Sequence, residues 1–259
     1  MSKPLVTYEK RGFVSVITID NPPLNILTDQ LVHELDGVID DVLSDQGCRA
    51  IVLTATGEKA FMAGADITQF DSLTPEAGRE LVEKGKVVFN KLENASMPVI
   101  CAMNGLALGG GLELALACDI RIADKKAKMG LPETGLGILP GYGGTQRLTR
   151  LIGPGKTKEL IFTGAILTAD EAYQYGLIEK VVENGESRQA ALALAEKIAT
   201  KAPVAITVAK ATIHQGMDVS LEEGQDIETN AFMKLCETSD IQEGFQAFME
   251  KRTPNFTGK

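Results

Sequence analysis

The 259-residue sequence is poor in the residues that build metal centres: its only histidines are His33 and His214, and Cys48, Cys101, Cys118 and Cys236 are scattered with no Cys-x-x-Cys pair. No metal site can be assembled from that local spacing, and reduced thiols in a cytosol-like compartment are the simplest reading. Positive charge is also in deficit, with 26 Lys and Arg against 35 Asp and Glu and a formal net charge of −9. Such a chain repels a phosphate backbone at long range, which disfavours nucleic-acid binding. A small anionic ligand held by a few local cations and helix N-termini is still compatible with it. Long hydrophobic runs are missing too. Residues 1–10 contain no apolar run of signal-peptide length, and the weakly charged stretch 97–118 is interrupted by three adjacent glycines and Glu113. Neither secretion nor membrane spanning is expected, and a cytoplasmic location is.

What is present is an ordinary globular composition, 44% hydrophobic and 24% charged, in a length sufficient for one substantial core with a smaller appendage. Val14–Ile19 alternates and is β-branched, as a strand should be, and Asp20–Asn25 breaks it with turn formers. Leu31, Val32, Leu35, Val38, Ile39, Val42 and Leu43 then recur on one helical face, with Thr28 as the N-cap candidate. Residues 50–54 read as a second strand, Thr74-Pro75-Glu76 as a capped helix start, 98–103 as a buried strand, Gly110 or Gly111 as another helix start, and 119–124 as a strand. This alternation predicts an α/β layer whose loops at one sheet edge carry the chemistry. From about Ser187 the pattern becomes helical. Capping boxes are expected at Ser220–Glu223, at Ser239–Gln242 and, earlier, at Thr168–Glu171 ahead of Gly176. The division expected is a core over residues 1–195 and a helical region over 196–259.

Three segments combine glycine with few charges: Phe61-Met-Ala-Gly-Ala-Asp-Ile67, Asn104-Gly-Leu-Ala-Leu-Gly-Gly-Gly111, and the run from Leu131 to Gly144. Glu113 is the only charge between Glu93 and Asp119, and Glu133 the only one between Lys128 and Arg147. Burying a carboxylate costs several kcal/mol unless it is paired, neutralised or in use. Two isolated carboxylates beside Gly-rich turns suggest a pair that holds a water and divides acid and base roles. A helix beginning at Gly110 leaves N–H groups that a substrate oxygen gaining negative charge can approach. Taken singly, each feature also has a structural reading: Glu113 bonded to an arginine such as Arg121 or Arg147, the glycines as a tight turn, Asp66 as an N-cap, His33 as a solvent-facing residue, Cys101 and Cys118 as small core residues.

Together the segments are more specific. Ala63-Gly-Ala-Asp-Ile67, Asn104-Gly-x-Ala-x-Gly-Gly-Gly-x-Glu113-Leu and Pro132-Glu-x-x-x-Gly137-x-x-Pro-Gly-x-Gly-Gly-Thr-Gln-Arg147-Leu resemble, in order and spacing, the motifs of the enoyl-CoA hydratase/isomerase, or crotonase, superfamily. The resemblance runs from the first strand to Phe256. It implies an α/β fold, a crotonase-like spiral of strand-strand-helix turns with a helical C-terminal oligomerisation region that builds homotrimers or homohexamers. It implies an acyl-CoA thioester substrate, with coenzyme A part of that substrate and no separate cofactor. It also implies the backbone N–H groups of Ala65 and Gly110 as an oxyanion hole, and Glu113 and Glu133 as the acid/base pair. Leu24, Ala63, Asp66, Ile67 and Gly109 are implied beside the acyl-CoA, with Phe256 close to a neighbouring subunit's ligand.

The implied reaction is hydration of a 2-trans-enoyl-CoA to the 3-hydroxyacyl-CoA, in fatty acid β-oxidation or related acyl-CoA metabolism. Alternatives are a hydratase for a branched or carboxylated acyl group such as 3-methylglutaconyl-CoA, an enoyl-CoA isomerase, and a non-catalytic CoA-binding or RNA-binding relative. Possession of both glutamates favours hydration over isomerisation, because isomerases of the family usually lack an acid at the Glu113 position. The chain departs from the family at 21–25, where many members carry a lysine near the CoA phosphates, and at Thr68, where some do. Lys59 is the candidate that compensates, beside Lys251, Arg252 and Lys259 at the C-terminal end.

Overall fold

The computed structural model describes residues 3–66 and 73–259. Its first elements are a hairpin, β1 (Val6–Arg11) and β2 (Val14–Ile19), closed at Gly12 and followed by α1 (Asp29–Ser44). Thr28 caps α1 by accepting the Leu31 N–H, and the buried residues Leu31, Leu35, Ile39 and Val42 are the face that the apolar spacing marks.

The chain then makes three variations on one unit. A core strand turns a corner into a three-residue strand, and a helix follows. The first unit is β3 (Ala50–Ala55), β4 (Ala60–Met62) and α2 (Pro75–Glu93). The second is β5 (Val99–Met103), β6 (Leu106–Leu108) and α3 (Gly110–Leu116). The third is β7 (Ile120–Asp124), β8 (Lys128–Gly130), a 3-10 turn over Glu133–Leu136 and α4 (Gly144–Ile152). After these come α5 (Pro154–Thr163), β9 (Ile166–Thr168), α6 (Ala169–Gln174), β10 (Lys180–Val182) and α7 (Ser187–Ala199).

The long strands form a six-stranded sheet of order β1-β2-β3-β5-β7-β10, parallel throughout except for the β1–β2 hairpin. The short ones form a second sheet of order β4-β6-β8-β9. Strands β3 and β5 are buried on both faces, which is why they read as unbroken apolar runs. One face of the large sheet, through Ile17, Ile51, Leu53 and Cys101, meets α1 and α2. The other, through Val16, Val52, Ile100 and Ala102, meets Ala191, Ala195 and Ala199 of α7, a strip of small residues four apart. Position 195 therefore falls inside α7, whose last turn still covers the sheet.

Because β6 lies between β4 and β8, the segments leaving these three strands emerge side by side: 63–65, 109–111 and 131–133. That shared edge positions the site. It is drawn tight at Gly111, where any Cβ would collide with the Met62 carbonyl oxygen.

The remaining elements are α8 (Pro203–Gly216), α9 (Leu221–Leu235) and α10 (Ser239–Glu250). The capping boxes at Thr168 and Ser220 form as expected. The one expected at Ser239 does not: Thr238 is the cap residue, and Ser239 lies inside the helix and donates both its N–H and its hydroxyl to the Lys259 carbonyl. The C-terminal tail folds back on α10 and competes for that serine. No residue of α8 or α9 is buried, and Ile213, Met217, Leu221, Phe232, Met233, Phe245, Phe248 and Met249 are exposed. Lys210 ties α8 to the core through Asp119 at 2.7 Å, with His214 at 3.8 Å from the same carboxylate. No helix among the described residues is long and apolar enough to cross a membrane.

Candidate active site

Glu113 sits in the first turn of α3, three residues beyond Gly110, with 1% of its surface exposed. No arginine neutralises it by direct contact. Arg121 is engaged by Glu179 at 2.6 Å and by the carbonyls of Leu177 and Cys118, and Arg147 by the Tyr142 carbonyl, Asn90 and Glu93. Instead, one carboxylate oxygen of Glu113, Oε1, accepts the N–H groups of Tyr142 at 2.8 Å and Gly144 at 2.7 Å. Burial raises the Glu113 pKa to about 7. The Gly144 N–H, the Tyr142 N–H and the Arg147 charge pull the other way, and the Glu133 charge adds to the rise. A carboxyl group tuned to neutrality can exchange a proton in either direction at physiological pH.

Glu133 opens the 3-10 turn, itself buried, and its pKa is raised by burial. Its carboxylate lies against Gly109: a Cβ there would stand 3.1 Å from Glu133 Oε1. Gly109 has φ of 52°, a left-handed conformation that suits glycine, so this residue both turns the chain into α3 and leaves room for the acid. The other oxygen, Glu133 Oε2, is buried with no hydrogen-bond partner among the described residues. A buried acceptor without a partner is costly and points to a water or substrate atom as its usual occupant.

Both glutamates line one cavity of about 800 Å³, together with Ala63, Gly64, Ala65, Gly109 and Gly110. Apolar side chains also line it, among them Leu81 and Val82 of α2, Leu108, Leu139 and Tyr142, and the exposed charges of Arg79, Glu83 and Lys86 border it. The Tyr142 phenol, also buried, has its pKa pushed up to about 12, first by burial and then by Glu113. The cavity's volume falls in the range of small-molecule binding sites.

Two backbone N–H groups complete the arrangement. Leu27 bridges Ala65 in parallel fashion, donating to the Gly64 carbonyl at 2.9 Å and accepting the Asp66 N–H at 3.1 Å. In such a bridge the central residue turns its own N–H away from its partner, so the Ala65 N–H is directed off the bridge. Gly110 is the first residue of α3, where an N–H has no carbonyl one turn earlier in the helix to receive it. Neither N–H donates to a backbone carbonyl among the described residues.

Of the other residues singled out from sequence, Ala63 and Gly109 line the cavity. Leu24 stands behind it, accepting the Ala63 N–H at 3.0 Å, and Asp66 follows Ala65 on the Leu27 bridge. Ile67 and Thr68 lie outside the described residues. Lys59 is exposed at the corner between β3 and β4, and its carbonyl accepts the Leu106 N–H. Phe256 is remote from Glu113 within one chain: its carbonyl accepts from Arg49, and it borders a separate cavity with Phe13 and Ala199. Arg252 is engaged by Glu243 and Glu250 of α10. Sequence reasoning did not single out the Tyr142 and Gly144 amides that hold Glu113; the paired glycines Gly143-Gly144 were their only signal.

A family model described as enoyl-CoA hydratase/isomerase matches residues 9–259. The chain is 46% identical to the short-chain-enoyl-CoA hydratase of Clostridium acetobutylicum, over 95% of this chain and 95% of that protein. It is 41% identical to the crotonyl-CoA hydratase of Syntrophomonas wolfei, over 98% of each. Among solved structures, the enoyl-CoA hydratase from Bacillus anthracis superposes with a TM-score of 0.95 at 42% identity, covering 98% of this chain and all of that one. On that span of sequence and structure, the chain belongs to the enoyl-CoA hydratase/isomerase family.

Proposed function

We propose that the protein adds water reversibly, in syn fashion, across the double bond of a 2-trans-enoyl-CoA to give the 3-hydroxyacyl-CoA. The observation that carries the reading is the convergence, on one cavity, of two buried carboxyl groups with raised pKa and the exits of Ala65 and Gly110. The relatives named as short-chain and crotonyl-CoA hydratases favour this over the isomerase and non-catalytic alternatives.

In this reading the thioester carbonyl oxygen accepts hydrogen bonds from the Ala65 and Gly110 N–H groups. As water attacks C3, electron density moves through C2 onto that oxygen, and each well-placed donor stabilises the resulting enolate by about 3 kcal/mol. Coenzyme A belongs to the substrate, and these donors supply the electrophilic assistance. Glu113, with Oε1 held by two amides, keeps Oε2 for the water, orients it and takes its proton. Glu133, in its protonated form, delivers a proton to C2, so both additions occur on one face. Passing a proton from Glu113 to Glu133 through an incoming water restores the starting state. The working form thus holds one proton between the two acids, an arrangement that their mutual repulsion favours.

The core through α7 carries this site, and the C-terminal helices supply the contacts of a homotrimer or a hexamer made of two trimers. Their exposed apolar side chains, Phe232, Met233, Phe245 and Phe248 among them, support that role, since a lone soluble chain rarely presents so many. A cytoplasmic location accords with the free, buried thiols of Cys48, Cys101 and Cys118. Loss of enoyl-thioester absorbance across a chain-length series tests reaction and substrate together. No loss with any enoyl-CoA would reject the reading.

A further inference from the structure

The amides that hold Glu113 belong to a turn with little rigidity of its own. Gly143, with φ of 110°, and Gly144 follow one another at the start of α4, and two adjacent glycines impose almost no backbone preference. Beside the buried Tyr142 ring, which packs on Phe89, Arg147 ties the turn from outside. Its guanidinium donates to the Tyr142 carbonyl at 2.8 Å and, from the other terminal nitrogen, to Asn90 at 2.6 Å and Glu93 at 2.7 Å near the end of α2. The side chain is 11% exposed and lies so close over Gly143 that any Cβ there would collide with it.

We propose that Arg147 is a positioning residue for Glu113: by pinning the Tyr142 carbonyl on one side of the turn, it keeps the Tyr142 and Gly144 N–H groups aimed at the Glu113 carboxylate on the other. The inference rests on the reading of Glu113 as the group that activates water. The planar guanidinium fork reaches the turn and α2 at once, so it anchors a flexible loop to a long helix. A lysine, with one point of attachment, cannot span both. The charged and titratable groups facing Glu113 are Glu133 from the 3-10 turn, the Tyr142 phenol from the turn itself and Arg147 from α4. Arg147 is the only cation among those three, so its loss removes both the alignment and the charge that favour the ionised carboxylate.

The test uses Arg147→Lys and Arg147→Ala in the full chain, with crotonyl-CoA as substrate. Turnover should fall by on the order of 10- to 100-fold, as expected for a displaced reacting group, while KM changes by less than about threefold. The acid limb of the pH–rate profile should move upward in both variants, because lost amide donors favour protonated Glu113, and further in Arg147→Ala, which also loses the positive charge. Added guanidinium ion should restore part of the turnover of Arg147→Ala. Arg147→Lys decides the matter if Arg147→Ala does not fold. A lowered melting temperature with unchanged kcat and an unmoved acid limb would mean that the residue only braces the fold. Glu113→Gln is measured alongside. Normal turnover there rejects the role of Glu113 itself, whereas an inactive Glu113→Gln with kinetically normal Arg147 variants rejects this inference alone.

Discussion

Glu113→Gln should make the protein more stable at pH 8 while removing its activity. The carboxyl group is buried, and its pKa rises from an ordinary 4.5 to about 7. Between those values the folded protein holds a proton that the unfolded chain has released. Stability associated with that proton is present at low pH and is lost as pH rises through about 7. Above it, the ionised carboxylate costs the fold about 3 kcal/mol relative to a neutral group of the same shape. Glutamine is such a group, and its carbonyl can still accept the Tyr142 and Gly144 N–H groups, though less strongly than a carboxylate. At roughly 2 °C per kcal/mol for a chain of this size, the variant should melt up to about 6 °C higher at pH 8. The gap should shrink to about half by pH 5.5 and close only towards about pH 4.5. Thermal unfolding of both proteins across that pH series is the assay. A variant that melts lower than the parent at pH 8, or a difference independent of pH, would refute the claim that Glu113 is held against its preferred ionisation.

Glu133→Gln should lower turnover of crotonyl-CoA by orders of magnitude without lowering the melting temperature, since burial already disfavours its ionised form and its Oε2 has no partner among the described residues to lose; steady-state kinetics beside a melting curve checks this. The rate should follow a bell-shaped pH profile, losing the base when both glutamates are protonated at low pH and the acid when both are ionised at high pH. A profile flat from pH 5 to 9 would contradict it. Gly111→Ala should destabilise the protein by roughly 2 kcal/mol or more, because the new Cβ meets the Met62 carbonyl oxygen, a backbone atom that cannot swing aside; denaturant titration measures it. Phe245→Glu with Phe248→Glu should run as a smaller species than the parent in size-exclusion chromatography with light scattering, as the proposed trimer contacts require.

The long amphipathic elements were legible in the sequence for a simple reason: Leu31, Leu35, Ile39 and Val42 repeat over enough turns to define a face, and Thr28 and Thr74 carry their caps locally. The second sheet was not legible. Strands such as Ala60–Met62 and Leu106–Leu108 span three residues, too few for any period to emerge, and they exist because their neighbours in space pair with them. The missing cap at Ser239 has the same origin, since the competing acceptor is Lys259 at the far end of the tail. At the site, the isolation of Glu113 and Glu133 from other charges marked them in the sequence. What holds Glu113 did not show, because backbone amides from residues 142 and 144 leave no side-chain signature. The Gly64–Asp66 bridge to Leu27, which orients the Ala65 N–H, is equally silent.

In the proposed reaction Glu113 and Glu133 together add water across an enoyl thioester. Incubating crotonyl-CoA with the parent protein and with Glu113→Gln and Glu133→Gln in ¹⁸O-labelled water tests it most directly. The parent should give 3-hydroxybutyryl-CoA carrying the label at C3, and either variant almost none. Unlabelled or double-bond-shifted product from the parent, or parent-like labelling by either variant, would contradict it.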